Sequence, residues 1–145
     1  LLMALWPVLM QRVATVYFLE HIGVYSLMAV FFARTLTGPG ESLVTQMARR
    51  VHGGVLSEKQ RVYTRQVTWA WGLFFASMVL VSVGLFVWAP LPVWSAFATL
   101  LGGPLIGLMF IGELLVRRWA LPHEVRASLK ETVRAWRTQG SEPKQ

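Results

Sequence analysis

The sequence predicts an all-α, polytopic transmembrane helical protein with amphipathic helices lying at the membrane surface. Three observations lead there. Apolar residues make up 54% of the 145 positions and charged residues only 14%, against roughly 25% charge in an ordinary soluble domain. The apolar residues stand in long blocks, the pattern of membrane spans and not of a single globular core. The charges, net +7, fall between the blocks and in the C-terminal stretch, apart from Glu20, Arg34 and Glu113.

Taken in order, residues 1–10 are apolar but too short to cross a bilayer. Residues 1–12 are therefore expected to be the end of a preceding span, with Gln11 and Arg12 in a turn. A single span over 1–19 would place Arg12 in lipid at a cost of about 2.5–3.5 kcal/mol. Leu1 opens in the middle of a hydrophobic run, so a longer parent chain is expected. Residues 13–36 form the first full span, interrupted by Glu20 and His21. Residues 37–66 read as a surface loop. Within it, residues 41–52 place Leu43, Val44, Met47, Ala48 and Val51 on one helical face.

Residues 67–88 carry no charge. At roughly 1.5 Å per residue they extend about 33 Å, enough for the hydrocarbon core. Trp69, Trp71 and Trp88 stand near the two ends, where indole rings favour the headgroup level. Residues 89–92, Ala-Pro-Leu-Pro, form an outer turn, and residues 93–116 are the return span, ended by Arg117 and Arg118. Residues 117–145 make a basic amphipathic tail, with Val125, Leu129, Val133 and Trp136 on one side and Arg126, Lys130 and Arg134 on another. The turn at 89–92 has no charge, whereas the 34–66 region and the tail are rich in Arg and Lys. The positive-inside rule puts those two regions in the cytoplasm. The expected location is a bacterial inner membrane with a cytoplasmic C-terminus.

Several chemistries are excluded or weakened. Cysteine is absent, and so are Asp and Asn, which removes disulfides, thiolate metal sites and many acid–base constellations. Thr37-Gly-Pro-Gly-Glu resembles a phosphate-cradling loop in its glycines, but it lacks the Lys-Ser/Thr of such loops and follows a span and not a strand. It reads as a helix breaker, with Gly38 expected at positive φ as a C-cap, Pro39 blocking continuation, and Glu41 complementing the next helix's dipole.

Glu20 and His21 are the oddity, because ionisable groups inside a span are costly. Tyr17, His21 and Tyr25 share a face at spacing four with Glu20 beside it. This intramembrane polar seam is expected to serve as an interhelical hydrogen-bond seam. A proton relay, an axial cofactor ligand and a substrate contact are the alternatives. Metal binding is not expected, since His52 and His123 lie outside the spans, and no cofactor is expected.

Glu113 precedes Arg117 by four residues, the favourable order for an ion pair on a helix. Thr99, Gly103 and Gly107 form a small-residue stripe for close helix packing, with Gly72 and Ala76 as a second small patch. Pro104 should kink the helix beside it. Arg49, Arg50, Arg65, Arg117, Arg118, Arg126, Lys130 and Arg134 are expected to contact anionic lipid headgroups, which outrank nucleic acid as a partner for basic faces beside a membrane.

The stretches GPGESLVTQMARRVHG, VYTRQVTWAWGLFF, WSAFATLL, PLIGLMFIGELLVRR and LKETVRAWR resemble a family of predicted bacterial inner-membrane proteins. Some members are encoded beside aryl-polyene-type, fatty-acid-synthase-like gene clusters. The resemblance covers most of the chain from about Glu20 onward and is most specific at Tyr63-Thr-Arg-Gln-Val-Thr. It implies an inner-membrane location and supplies no catalytic residue.

The functional expectation is a non-enzymatic accessory or structural subunit of a larger inner-membrane assembly, with other transmembrane subunits or a second copy as partners. One alternative is a lipid or acyl-chain handling protein using Glu20, His21 and the Tyr63-Thr64-Arg65 region. Another is a cofactor-holding subunit with His21 as ligand.

Overall fold

The computed structural model describes residues 2–51 and 53–121, with residues 2–9 given by their backbone alone. The tail helix expected around Arg126, Lys130 and Arg134 lies outside these residues. The described chain is all helical: α1 (Leu2–Thr37), α2 (Leu43–Val51), α3 (Glu58–Trp88), α4 (Leu91–Ala96), a π-helical segment (Phe97–Leu101) and α5 (Gly102–Ala120). Met10–Thr37, Glu58–Trp88 and Leu91–Ala120 are each long and apolar enough to cross a membrane. Three such helices in one chain are the signature of a membrane protein.

Four expectations need correction. There is no turn at Gln11 and Arg12, because α1 runs through them as one helix. Nothing in Met10-Gln-Arg-Val-Ala-Thr breaks a helix, and Thr15 Oγ1 adds a bond to the Gln11 carbonyl at 2.8 Å. The loop expected over 37–66 ends early, since α3 begins at Glu58. Ser57 caps that start: its hydroxyl accepts from Gln60 N–H at 3.2 Å while Gln60 Oε1 accepts from Ser57 N–H at 2.8 Å. This Ser-x-x-Gln capping box was readable in the sequence, but the charges of 58–65 masked it.

The third correction concerns Gly38, which is not at positive φ; among the described residues only Gly53 and Gly54 are, at 66° and 95°. Gly38 continues the helical path, its N–H reaching the Arg34 carbonyl at 2.9 Å, and a Cβ there would come within 3.0 Å of that same oxygen. Finally, the return span is helical from Leu91, ahead of residue 93, and continues past residue 116 to Ala120. Pro104 lacks the N–H that would bond the carbonyl four residues back, and the π-helical segment lies directly upstream of it. Wider turns of this kind are the usual bulge within an α-helix.

The chain divides into two units, with the boundary inside α5 after Met109. In the first, α1 and α3 pack antiparallel through aromatic rings. Phe18 stacks on Phe86 with centroids 3.9 Å apart, Tyr25 meets Phe75 at 6.1 Å, and Phe32 meets Phe75 at 5.4 Å and Trp71 at 6.4 Å. The buried face of α3 repeats every three to four residues through Tyr63, Val67, Trp71, Phe75, Met78 and Ser82, the stripe of an amphipathic helix. At the far end of this pair, Trp94 of α4 sits edge-on to Phe86 and donates its indole N–H to the fully buried Ser82 hydroxyl at 3.0 Å. The second unit contains the expected ion pair, with Arg117 Nε 2.9 Å from Glu113 Oε1.

Gly72 lets the two long helices close up, since a Cβ built on it lies 3.6 Å from Phe32 Cβ. That is ordinary van der Waals contact. Gly72→Ala should leave thermal unfolding in detergent unchanged, whereas Gly72→Leu should overpack the α1–α3 seam and destabilise by about 1–3 kcal/mol, read by tryptophan fluorescence.

Candidate functional site

The most densely bonded part of the chain is where α2 lies against the ends of α1 and α3. The first N–H groups of any helix lack intrahelical partners and must find others. In α2 two other helices supply them: Leu43 N–H donates to Thr35 Oγ1 of α1 and Val44 N–H to Thr68 Oγ1 of α3, both at 3.2 Å. A line of hydroxyls completes the seat. Ser42 Oγ lies 2.6 Å from Thr45 Oγ1, which lies 2.7 Å from Thr64 Oγ1, and Thr64 donates to the Gln60 carbonyl at 2.8 Å. Ser42, Thr45, Thr64 and Thr68 are all buried.

This arrangement makes α2 face the rest of the chain through hydroxyls. Its apolar residues Met47 and Val51 are exposed, and Leu43, Val44 and Ala48 are half-buried. Such a helix is suited to an apolar medium on its outer side.

Beside α2 is a groove of about 390 Å³ lined by Pro39, Glu41, Glu58, Arg61, Val62 and Arg65 among others. Glu41 takes a two-pronged hydrogen bond from Arg49, with Nε 2.8 Å from Oε2 and Nη2 against Oε1. This bond, foremost, holds the Glu41 carboxyl below its ordinary value, and the nearby Arg61 charge adds to the effect. Arg49 also donates to the Gly54 carbonyl at 3.1 Å, closing the turn that follows α2. Arg61 stands 3.8 Å from Glu41 and 3.6 Å from Glu58, beyond hydrogen-bonding distance. Arg65 donates to the Leu36 carbonyl at 3.3 Å, one of the carbonyls that α1 leaves open at its end.

The expected polar seam on α1 is divided by the packing. His21 and Tyr25 face inward, their rings 4.6 Å apart, with Trp94 and Phe97 next to His21 at 6.4 and 6.0 Å. Both His21 ring nitrogens are enclosed without a hydrogen-bond partner. Tyr17 and Glu20 are on the exposed side. Among the described residues no three His or Glu side chains gather within metal-binding reach.

Of the small residues, Gly72 packs on Phe32, Ala76 is half-buried, and Thr99, Gly103 and Gly107 are exposed or half-exposed. The glycine of this span that meets another helix is Gly102, whose Cβ position lies 3.1 Å from the Tyr25 hydroxyl. Of the cations expected at lipid, Arg49, Arg50, Arg65 and Arg118 are exposed and Arg117 is half-buried in its pair with Glu113.

No protein-family model, curated protein or solved structure matches the chain.

The hydroxyl seat went unread in the sequence because threonine is neutral on any hydropathy pattern. The available signal was the spacing of Thr64 and Thr68, one helical turn apart. Thr68→Val keeps the shape but removes the acceptor for Val44 N–H. The expected loss is about 1–3 kcal/mol, the penalty of a buried unsatisfied donor, measured by thermal unfolding in detergent.

Glu41 gives a pH signature. A carboxyl whose folded pKa is lowered stabilises the fold above its ordinary value of 4.5 and loses that contribution as pH falls through the lower folded value. Amide exchange of residues 43–51 should be pH-independent, after correction for intrinsic rates, down to about pH 4.5, and should accelerate below it. Glu41→Gln should abolish that acid step.

Proposed function

We propose that this chain is a non-enzymatic, structural or accessory subunit of a larger assembly in a bacterial inner membrane, with the α1–α3 connection and the C-terminus in the cytoplasm. One observation carries the reading. The last span presents Gly103 and Gly107 one turn apart on a face of α5, and a Cβ on either glycine would have no atom of the described residues within 4 Å. By contrast Gly72 meets Phe32, Gly84 meets Trp88, and Gly102 at the start of the same helix meets Tyr25, while Gly23 and Gly112 are open singly. Between helices in lipid, association is driven by van der Waals contact, and small residues let backbones come close. An open small-residue face on a span therefore suits another transmembrane helix, from a different subunit or a second copy.

The outward Met47 and Val51 of α2, flanked by the exposed Arg49 and Arg50, support its placement flat on the membrane surface. The cytoplasmic assignment follows from the Arg and Lys content of the 34–66 and 117–145 stretches against the uncharged 89–92 turn. Cations at this surface, Arg49, Arg50, Arg65, Arg117 and Arg118 among them, each add about 1 kcal/mol of attraction to anionic headgroups. A second reading, lipid or acyl-chain handling, is favoured by the arginine-lined groove beside α2.

Extracted from native membranes in mild detergent, the chain should migrate with a larger complex. Gly103→Leu and Gly107→Leu should release it while leaving its own unfolding temperature unchanged, because no neighbouring atom within the chain is displaced. Recovery of the unaltered chain as a lone monomer would overturn the proposal.

A further inference from the structure

The groove beside α2 sits at one end of an apolar track. Val62 lines the groove, and Trp69, Leu73 and Leu80 follow it along α3 at intervals of about 7, 11 and 18 residues, which at about 100° per residue keeps all four within roughly 20° of one line. All four are exposed, between 50% and 72%, so a line of apolar side chains, with Gln66 between the first two, leads from the groove into the charge-free part of the span. Trp69 comes four residues after Arg65, about 6 Å deeper along the helix. Among the described residues its indole N–H has no hydrogen-bond partner, and its ring is half exposed.

The groove itself has guanidinium donors to spare. Among the described residues Arg65 uses one of its five N–H groups on the Leu36 carbonyl, and the Arg61 guanidinium has two ion contacts, both longer than 3.5 Å. The two carboxylates that share the groove keep it from being a plain basic patch: Glu41 is already held by Arg49, and Glu58 lies at the rim, 80% exposed.

From these features we propose that the groove is a binding site for one membrane phospholipid. Its phosphodiester lies between Arg61 and Arg65, its glycerol ester meets the Trp69 N–H, and an acyl chain follows Val62, Trp69, Leu73 and Leu80. The chemistry recognised is a phosphate monoanion carrying an apolar tail. Because Glu58 faces the same space, an ammonium on the headgroup is accepted, so a zwitterionic phospholipid binds as well as an anionic one. The inference rests on the membrane placement of this helix end in the reading above and is independent of the proposed subunit contact on α5.

The test uses the full chain, delipidated in mild detergent and examined by native mass spectrometry with added phosphatidylethanolamine, phosphatidylglycerol or diacylglycerol. One phosphatidylethanolamine or phosphatidylglycerol should remain bound per chain, and diacylglycerol should not. Arg61→Gln, which breaks no hydrogen bond of the fold, should weaken retention about fivefold, the value of one cation at a headgroup. Arg65→Gln should do the same or more, and Trp69→Ala should weaken lipid retention by removing the deeper donor. Arg12→Gln, which removes an exposed cation far along α1 from its groove end, should change nothing.

Retention of phosphatidylglycerol alone, lost equally in Arg12→Gln, would mean diffuse attraction and sink the site. Displacement of the lipid by millimolar inorganic phosphate would make a free phosphate the ligand and overturn the lipid assignment. Membrane fractionation separates the two levels: a chain absent from the membrane fraction refutes the membrane placement, whereas a membrane-bound chain retaining no discrete phospholipid refutes this site alone.

Discussion

The described structure depends on how a nine-residue helix starts beside two membrane-length ones. Helix α2 is not anchored by burying its apolar face, since Met47 and Val51 are exposed and Leu43, Val44 and Ala48 are only half-buried. Its first donors are instead taken by Thr35 and Thr68, hydroxyls on two different helices, and Thr45 joins Thr64 behind them. Buried donors without partners cost more than the same bonds contribute when made. The seat therefore fixes the rotation and height of α2 far more sharply than apolar packing would. That rotation in turn brings Glu41 within reach of Arg49, sends Met47 and Val51 outward, and leaves the groove open between α2 and the first turns of α3.

Much of this was legible in the sequence where one physical signal dominates. The charge-free run of 67–88 and the proline at 90 specify a membrane-length apolar helix and a break after it with little competition, and α3 ends at Trp88 while α4 begins at Leu91. Boundaries fared worse where hydropathy and helix propensity disagree. Residues 58–65 are polar enough to leave the lipid and still helical, so a loop was read where α3 already runs. At Gln11 and Arg12 a charge was mistaken for a break, although neither residue interrupts a helix and long cationic side chains can reach back toward water.

Faces were harder still. Spacing says which side chains share a face but not what that face meets. Tyr17, His21 and Tyr25 do recur every four residues, yet the neighbours cover only the deeper two. The stripe of Thr99, Gly103 and Gly107 assumes a regular helix, whereas the segment Phe97–Leu101 is wound more widely. The register downstream is rotated, and Gly102 meets Tyr25. A local change of winding cannot be read from a periodicity that presumes it constant. The hydroxyl seat escaped for a different reason: threonines become conspicuous only once two helices are known to touch.

The line of hydroxyls also has a direction. Each hydroxyl has one proton to give. With the Thr64 proton on the Gln60 carbonyl, the order that pairs every hydroxyl has Thr45 giving to Thr64 and Ser42 to Thr45. None can reverse alone, because a single flip would leave two protons facing each other. At the open end, Ser42 is left with lone pairs and no proton to offer, and Ser42 is part of the groove wall. The protein thus presents an arriving group with donors from its arginines and a fixed acceptor from its backbone-anchored hydroxyls, a polarity set by a carbonyl three residues' contacts away.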